Sequence, residues 1–181
     1  MAAGSGVEIR VLGAADAEAF WKLRLQGLES DPQAFGESAV EHRASSIETF
    51  AARLGATSVE NFVMGAFVNG ELVATAGFFR NPTLKRKHKG KVWGMYVADA
   101  VRGQGIGRGL LEALLGCART IADLEEVQLS VSASQAAARQ LYRAMGFEMY
   151  AREHRALRVG EEYFDEEYMA LKIRPPSKKP D

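Results

Sequence analysis

Arg102-Gly103-Gln104-Gly105-Ile106-Gly107-Arg108-Gly109 is the stretch of this chain whose residue types and spacing point most directly to chemistry. It follows the run Val92-Trp93-Gly94-Met95-Tyr96-Val97 and opens onto Leu110, Leu111, Leu114, Leu115, Ala118 and Ile121, which recur at helical spacing. A strand that passes through glycines into a helix leaves several backbone N–H groups free at the positive end of the helix dipole, and such groups bind anions. Phosphate is the natural occupant. Glycine suits the turn because a side chain would hold the ligand off the backbone, and some amide cradles need a positive φ. Two phosphate loops are excluded by spacing. A G-x-G-x-x-G begun at Gly103 meets Arg108 where its third glycine belongs, one begun at Gly105 meets Leu110, and no Gly-Lys-Ser/Thr ending follows.

Other chemistries find little support. His42, His88 and His154 share no metal-ligand spacing, and with one cysteine no zinc site can be composed, so no metal is expected. Cys117 sits within the apolar helix and reads as packing rather than as a nucleophile. No Gly-x-Ser-x-Gly elbow is present.

The elements that must position the glycine turn can be read from periodicity and punctuation. Val7 to Leu12 alternates as a half-buried strand. Asp16 caps a helix with an apolar face of Phe20, Leu23, Gly27 and Leu28, which Asp31-Pro32 ends. Ser45 and Glu48 predict a capping box for a second helix carrying Ile47, Phe50, Ala51 and Leu54, closed by Gly55. Phe62 to Val68 and Leu72 to Phe79 flank Asn69-Gly70, the strongest short-range hairpin signal. A second hairpin leads through Asn81-Pro82 into Val92 to Val97. Past the glycine turn come a helix, a strand on Val127, Leu129 and Val131, a helix from Ala136 to Met145, and two strands around Gly160. The expected organisation is one α/β domain over 1–173, with a disordered Lys/Pro-rich tail over 174–181.

Composition bounds the function classes. At 181 residues the chain makes about one compact unit, and 47% apolar with 25% charged residues is ordinary for a globular domain. Its 23 basic and 23 acidic side chains cancel, so no whole-protein field steers it to nucleic acid or an anionic membrane. No apolar run approaches the ~18 residues needed to span a bilayer, and the start lacks a signal-peptide pattern; the expected location is cytoplasmic. Two local charge runs remain. The basic stretch Lys85 to Lys89 with Lys91 reads as a solvated loop tip that protects a sheet edge, or as a patch that steers substrate. The acidic run Glu161 to Glu167 reads as a solvated hairpin, or as a lure for a cationic acceptor.

Arg102-x-x-Gly105-x-Gly107 resembles the acyl-CoA signature of the GNAT superfamily of N-acetyltransferases, and Leu141-Tyr142-Arg143-Ala144-Met145-Gly146-Phe147 is similar to the later helix of that family. The order of elements matches as well, so the resemblance runs from about Val7 to Ile173. It implies a single domain with a mixed, mostly antiparallel sheet of about seven strands, flanked by about four helices and splayed between its central strands. It implies acetyl-CoA as co-substrate, with the backbone of Met95, Tyr96 and Val97 pairing with the pantetheine arm. Backbone groups of Arg102, Gly103, Gln104, Gly105, Ile106, Gly107 and Arg108 would hold the pyrophosphate. Tyr142 would protonate the departing CoA thiolate, a role suited to a phenol because the thiol, of pKa about 8.5, is a fair leaving group. Gln135 stands where the family usually carries an asparagine that contacts CoA.

The acceptor implied is a primary amine on a small molecule or peptide, and pairing of two copies through the C-terminal strands is a further implication. An attacking amine must lose its proton. Trp93, Gly94 and Met95 offer no carboxylate on the central strand, which leaves a water-relayed base, with Glu29, Glu37 and Glu41 as candidates on the segment that would roof the acceptor site. The competing reading is a non-catalytic acyl-CoA binding or regulatory module.

Overall fold

The computed structural model describes residues 6–174, so the first residues of the Gly/Ala/Ser leader and the tail from position 175 lie outside it. Seven strands form one sheet in the order β1-β2-β3-β4-β5-β7-β6. Their ranges are β1 Val7–Val11, β2 Asn61–Val68, β3 Glu71–Arg80, β4 Lys89–Val97, β5 Glu126–Ser132, β6 Glu148–Val159 and β7 Glu162–Lys172. Every neighbouring pair is antiparallel except β4 and β5. That parallel pair is joined by a crossover through a helix, as its geometry requires.

Five helices flank the sheet among the described residues, one more than the sequence suggests: α1 Ala17–Ser30, α2 Ala39–Ala44, α3 Ile47–Gly55, α4 Ile106–Thr120 and α5 Ala136–Ala144. The additional one, α2, is too short to show periodicity. It is set by Ser38 and Glu41, whose side chains and backbone N–H groups bond reciprocally at 3.2 and 2.8 Å. The box expected at Ser45 and Glu48 is absent. The N-cap of α3 is Ser46, whose hydroxyl accepts from the Thr49 N–H at 3.3 Å. The Asn69-Gly70 turn has both residues at positive φ, 51° and 81°, as a type I′ turn demands.

Each face of the sheet carries its own core. On one, Leu110, Leu111, Leu114 and Leu115 of α4 are wholly buried against Phe78, Val127 and Leu129. Each such leucine contributes about 1.5–3 kcal/mol. On the other, Phe20, Leu23 and Leu28 of α1 and Phe50 and Leu54 of α3 pack over Val63, Phe67, Leu72 and Tyr96. Cys117 is half-buried against the first core. Arg174, where disorder was expected to begin, is held: its guanidinium donates to the carbonyls of Arg119 and Ile121 at the end of α4, the bond to Ile121 being 2.7 Å.

Candidate active site

The parallel pairing of β4 and β5 lasts only from Lys89 opposite Glu126 to Lys91 opposite Gln128. Beyond it the strands part, although β4 stays paired to β3 as far as Val97 and β5 to β7 as far as Ser132. The sheet is thus opened from within, leaving two backbone edges that no strand satisfies, and such edges accept an extended ligand. The β3–β4 register also slips there. Trp93 faces Gly77 and Tyr96 faces Thr75, so β4 carries one extra residue in a bulge at Gly94, whose φ is +59°. Bulges sharpen twist and re-aim strands beside sites.

A cavity of about 390 Å³ fills the opening, which lies within the usual range for small-molecule sites. The strand residues Met95, Tyr96 and Val97, the turn residues Arg102, Gly103, Gly105, Ile106, Gly107 and Arg108, and Gln135 and Tyr142 of the α5 region all line it. Of the expected cofactor residues only Gln104 is turned elsewhere, its amide 3.5 Å from the Ala100 carbonyl. Gly103 and Gly105 adopt φ of +77° and +80°, and a Cβ on either would meet nothing within 4 Å. Gly105 caps α4 with no side-chain capping bond and no acid in the first turn. The first N–H groups of a fifteen-residue helix therefore face an open concavity, as an anion cradle requires. Gly107 marks a close approach, since a Cβ there would stand 3.3 Å from Val97 and 3.4 Å from Met95.

The arginines of the turn are committed to protein carboxylates. Arg102 donates to the Val97 carbonyl at 2.9 Å and to Asp31 at 2.8 Å, which ties the turn to the end of α1, and forms an ion pair with Asp99 at 2.8 Å. Arg108 pairs with Glu112 at 2.9 Å. Any phosphate contact from these two would come from their backbone.

Tyr142 on α5 also lines the cavity, 6% exposed, its ring edge-on to Phe147 with centroids 5.9 Å apart. Burial pushes its phenol up to about 12, so it is protonated throughout the physiological range. Helix α5 is fixed to the sheet by Glu167 of β7, which Arg139 grips with two hydrogen bonds of 2.9 and 2.5 Å. Arg143 reaches the same carboxylate at 3.4 Å. Glu167 is 1% exposed. The acidic run is therefore divided by strand alternation rather than solvated as one face. Asp165 is also engaged, by Arg152, His154 and the Arg155 N–H. Glu166 pairs in register with Ser132, and burial raises its carboxyl; Glu153 adds to the effect, while Lys91 and a hydrogen bond with Ser130 oppose it.

The three carboxylates expected to roof the acceptor site have partners. Glu29 pairs with Arg43, Glu41 serves the α2 cap, and Glu37 accepts from Arg24 Nε and Nη2 at 2.9 and 2.7 Å. His42, which carried no signal in the sequence, is fully buried between Trp21 and Phe50. Its Nε2 lies 3.0 Å from the Trp21 carbonyl, while Nδ1 has no hydrogen bond and faces Glu37 at 3.7 Å. Arg24 and Glu37 belong to a second cavity, of about 230 Å³, that shares Trp93 with the first. Among the described residues no three His, Cys, Asp or Glu side chains come together to hold a metal, and no helix is long and apolar enough to cross a membrane.

A sheet split between parallel neighbours, with an amide cradle and a largely buried tyrosine both lining the split, defines a protein built to take an extended, phosphate-bearing ligand. Comparison with known proteins gives the family and the fold. The model of the acetyltransferase (GNAT) family matches residues 25–147. A GNAT-family acetyltransferase of Streptococcus pneumoniae superimposes with a TM-score of 0.84 at 23% identity, over 93% of this chain and 100% of that one. The yncA protein of Salmonella typhimurium, solved with its cofactor acetyl-CoA, gives 0.84 at 21% identity over 98% and 99%. A ribosomal-protein-alanine N-acetyltransferase of Brucella melitensis gives 0.74 at 25% identity over 92% and 99%. This chain belongs to the GNAT acetyltransferase family.

Proposed function

We propose that the protein transfers an acetyl group from acetyl-CoA to a primary amine by direct attack, with Tyr142 as the acid. The observation that carries this reading is the split sheet, because one continuous cavity is lined both by the amide cradle of the glycine turn and by Tyr142. The donor supplies an activated acetyl thioester. Residues 103–108 bind its diphosphate through backbone N–H groups, and the unpaired β4 edge at Met95 to Val97 orients the arm that follows. Gln135, half-buried at the start of α5, lies against the same arm. Tyr142 holds a proton at Oη for the leaving sulfur, a task for which a phenol that stays protonated is suited.

The amine must give up its own proton. Glu166 serves as its sink through water: it lies beside Ser132, which lines the cavity, and its raised carboxyl makes it a better base than an ordinary surface glutamate. The test is thiol release from acetyl-CoA with a panel of amines. Turnover on some amine supports the reading, whereas tight CoA binding with no turnover on any amine favours the non-catalytic module.

A further inference from the structure

We propose that the free edge of Arg24 anchors the carboxylate of the acceptor, which is an α-amino acid with an apolar side chain seated in the second cavity; this rests on the acetyl transfer proposed above. Arg24 projects from α1 with its side chain 12% exposed. Nε and Nη2 both donate to Glu37, but Nη1 has no acceptor among the described residues. Nη1 is not among the buried atoms, so this edge of a mostly covered guanidinium stays open to the cavity, where an anion can reach it. Its orientation is fixed by Glu37 and by the rings of Trp93 and Phe35, whose centroids lie 5.6 and 5.7 Å from the guanidinium carbon. Such a preset fork binds a carboxylate with little loss of freedom.

Its position determines what it can read. A Cβ built on Gly94 would stand 2.9 Å from Nη1, so the bare edge lies over the β4 bulge. Gly94 lines the first cavity and Arg24 the second, with Trp93 lining both. A carboxylate held at Nη1 leaves an amine one carbon away beside the bulge, facing the split. The rest of the molecule meets Phe20, Phe50, Leu54, Phe62 and Val63. At about 230 Å³ this space exceeds the ~150 Å³ of an engineered cavity that takes benzene, so a leucine- or phenylalanine-sized side chain fits. The sole carboxylate in that lining, Glu37, is already paired, and Arg53 adds a second cation beside Phe50. A polyamine would find no counter-charge here, and a peptide N-terminus carries no carboxylate next to its amine.

The experiment compares leucine and phenylalanine with their amides in thiol release from acetyl-CoA, on the native enzyme, Arg24→Met and Arg24→Lys. We expect the acids to exceed the amides at least tenfold in kcat/KM. Arg24→Met should lower the value for the acids by about 10- to 100-fold, chiefly through KM, because a hydrogen bond to a charged group is lost. The amides should change less than twofold, and CoA affinity should be unaltered. Arg24→Lys keeps the charge opposite Glu37, so it should fold even if Arg24→Met does not, and it should raise KM for the acids alone. Equal rates on acids and amides, or equal losses on both in the variants, overturn the proposal. Turnover confined to peptides or polyamines overturns it while leaving acetyl transfer intact. If no amine is acetylated, acetyl transfer fails, and calorimetric binding of leucine to the CoA-loaded protein decides the anchor alone: binding that Arg24→Lys weakens supports it, and no binding refutes it.

Discussion

Tyr142→Phe separates chemistry from packing with the removal of one atom. The hydroxyl makes no hydrogen bond to any described side chain, and the ring contact with Phe147 is retained by phenylalanine. Deleting a hydroxyl that held a partner costs about 1–3 kcal/mol by orphaning it, whereas here the stability change should stay below about 1 kcal/mol. The rate should respond quite differently. A thiol of pKa about 8.5 leaving as thiolate at pH 7 forgoes roughly 1.5 units of protonation, worth about 2 kcal/mol or 30-fold, and a general acid is commonly worth 10² or more. We expect kcat to fall about 30- to 100-fold with the CoA Kd unchanged. The assays are continuous thiol detection, calorimetric titration with CoA, and thermal unfolding. A kcat within threefold of the native value refutes the acid role. A fall in kcat matched by an equal rise in CoA Kd or a large loss of Tm makes Tyr142 a packing residue.

The pH dependence follows from two raised groups. Tyr142, pushed up to about 12, stays protonated, so kcat/KM should rise with pH and show no alkaline fall up to about pH 10. Burial raises the Glu166 carboxyl from its ordinary value, so Glu166→Gln should flatten the lower part of that rise without changing CoA affinity. Glu167→Ala leaves Arg139 and Arg143 without their buried partner; unfolding measurements should show a loss of about 3 kcal/mol, with kcat reduced because α5 is no longer fixed. Gly77→Ala places a Cβ 2.1 Å from the Trp93 ring, so acceptor KM should rise several-fold while the CoA Kd holds, as steady-state kinetics beside calorimetry would establish.

Features specified over a few neighbouring residues were legible without coordinates. The Asn69-Gly70 turn, the leucine face of α4 and the strand-to-helix glycine turn each depend on local φ, ψ and side-chain period, which residue type controls directly. The short α2 was missed because six residues cannot display a period, though its Ser38/Glu41 box was there to be found. The pairing that defines the remaining site is non-local. Arg102 reads as a phosphate-loop arginine, yet its guanidinium is taken by Asp31, 71 positions away. Glu167 reads as one acid among several, and only the approach of Arg139 across 28 positions makes it a buried clamp. The bare edge of Arg24 exists because α1, the segment bearing Glu37 and the β4 bulge converge on one point. The sequence by itself determined the family motifs, the cradle and the order of elements, since these are written in local conformational preference. Which charges are spent on structure and which remain for an acceptor was decided by tertiary packing, because a charge is neutralised by whatever the fold brings within a few ångströms of it.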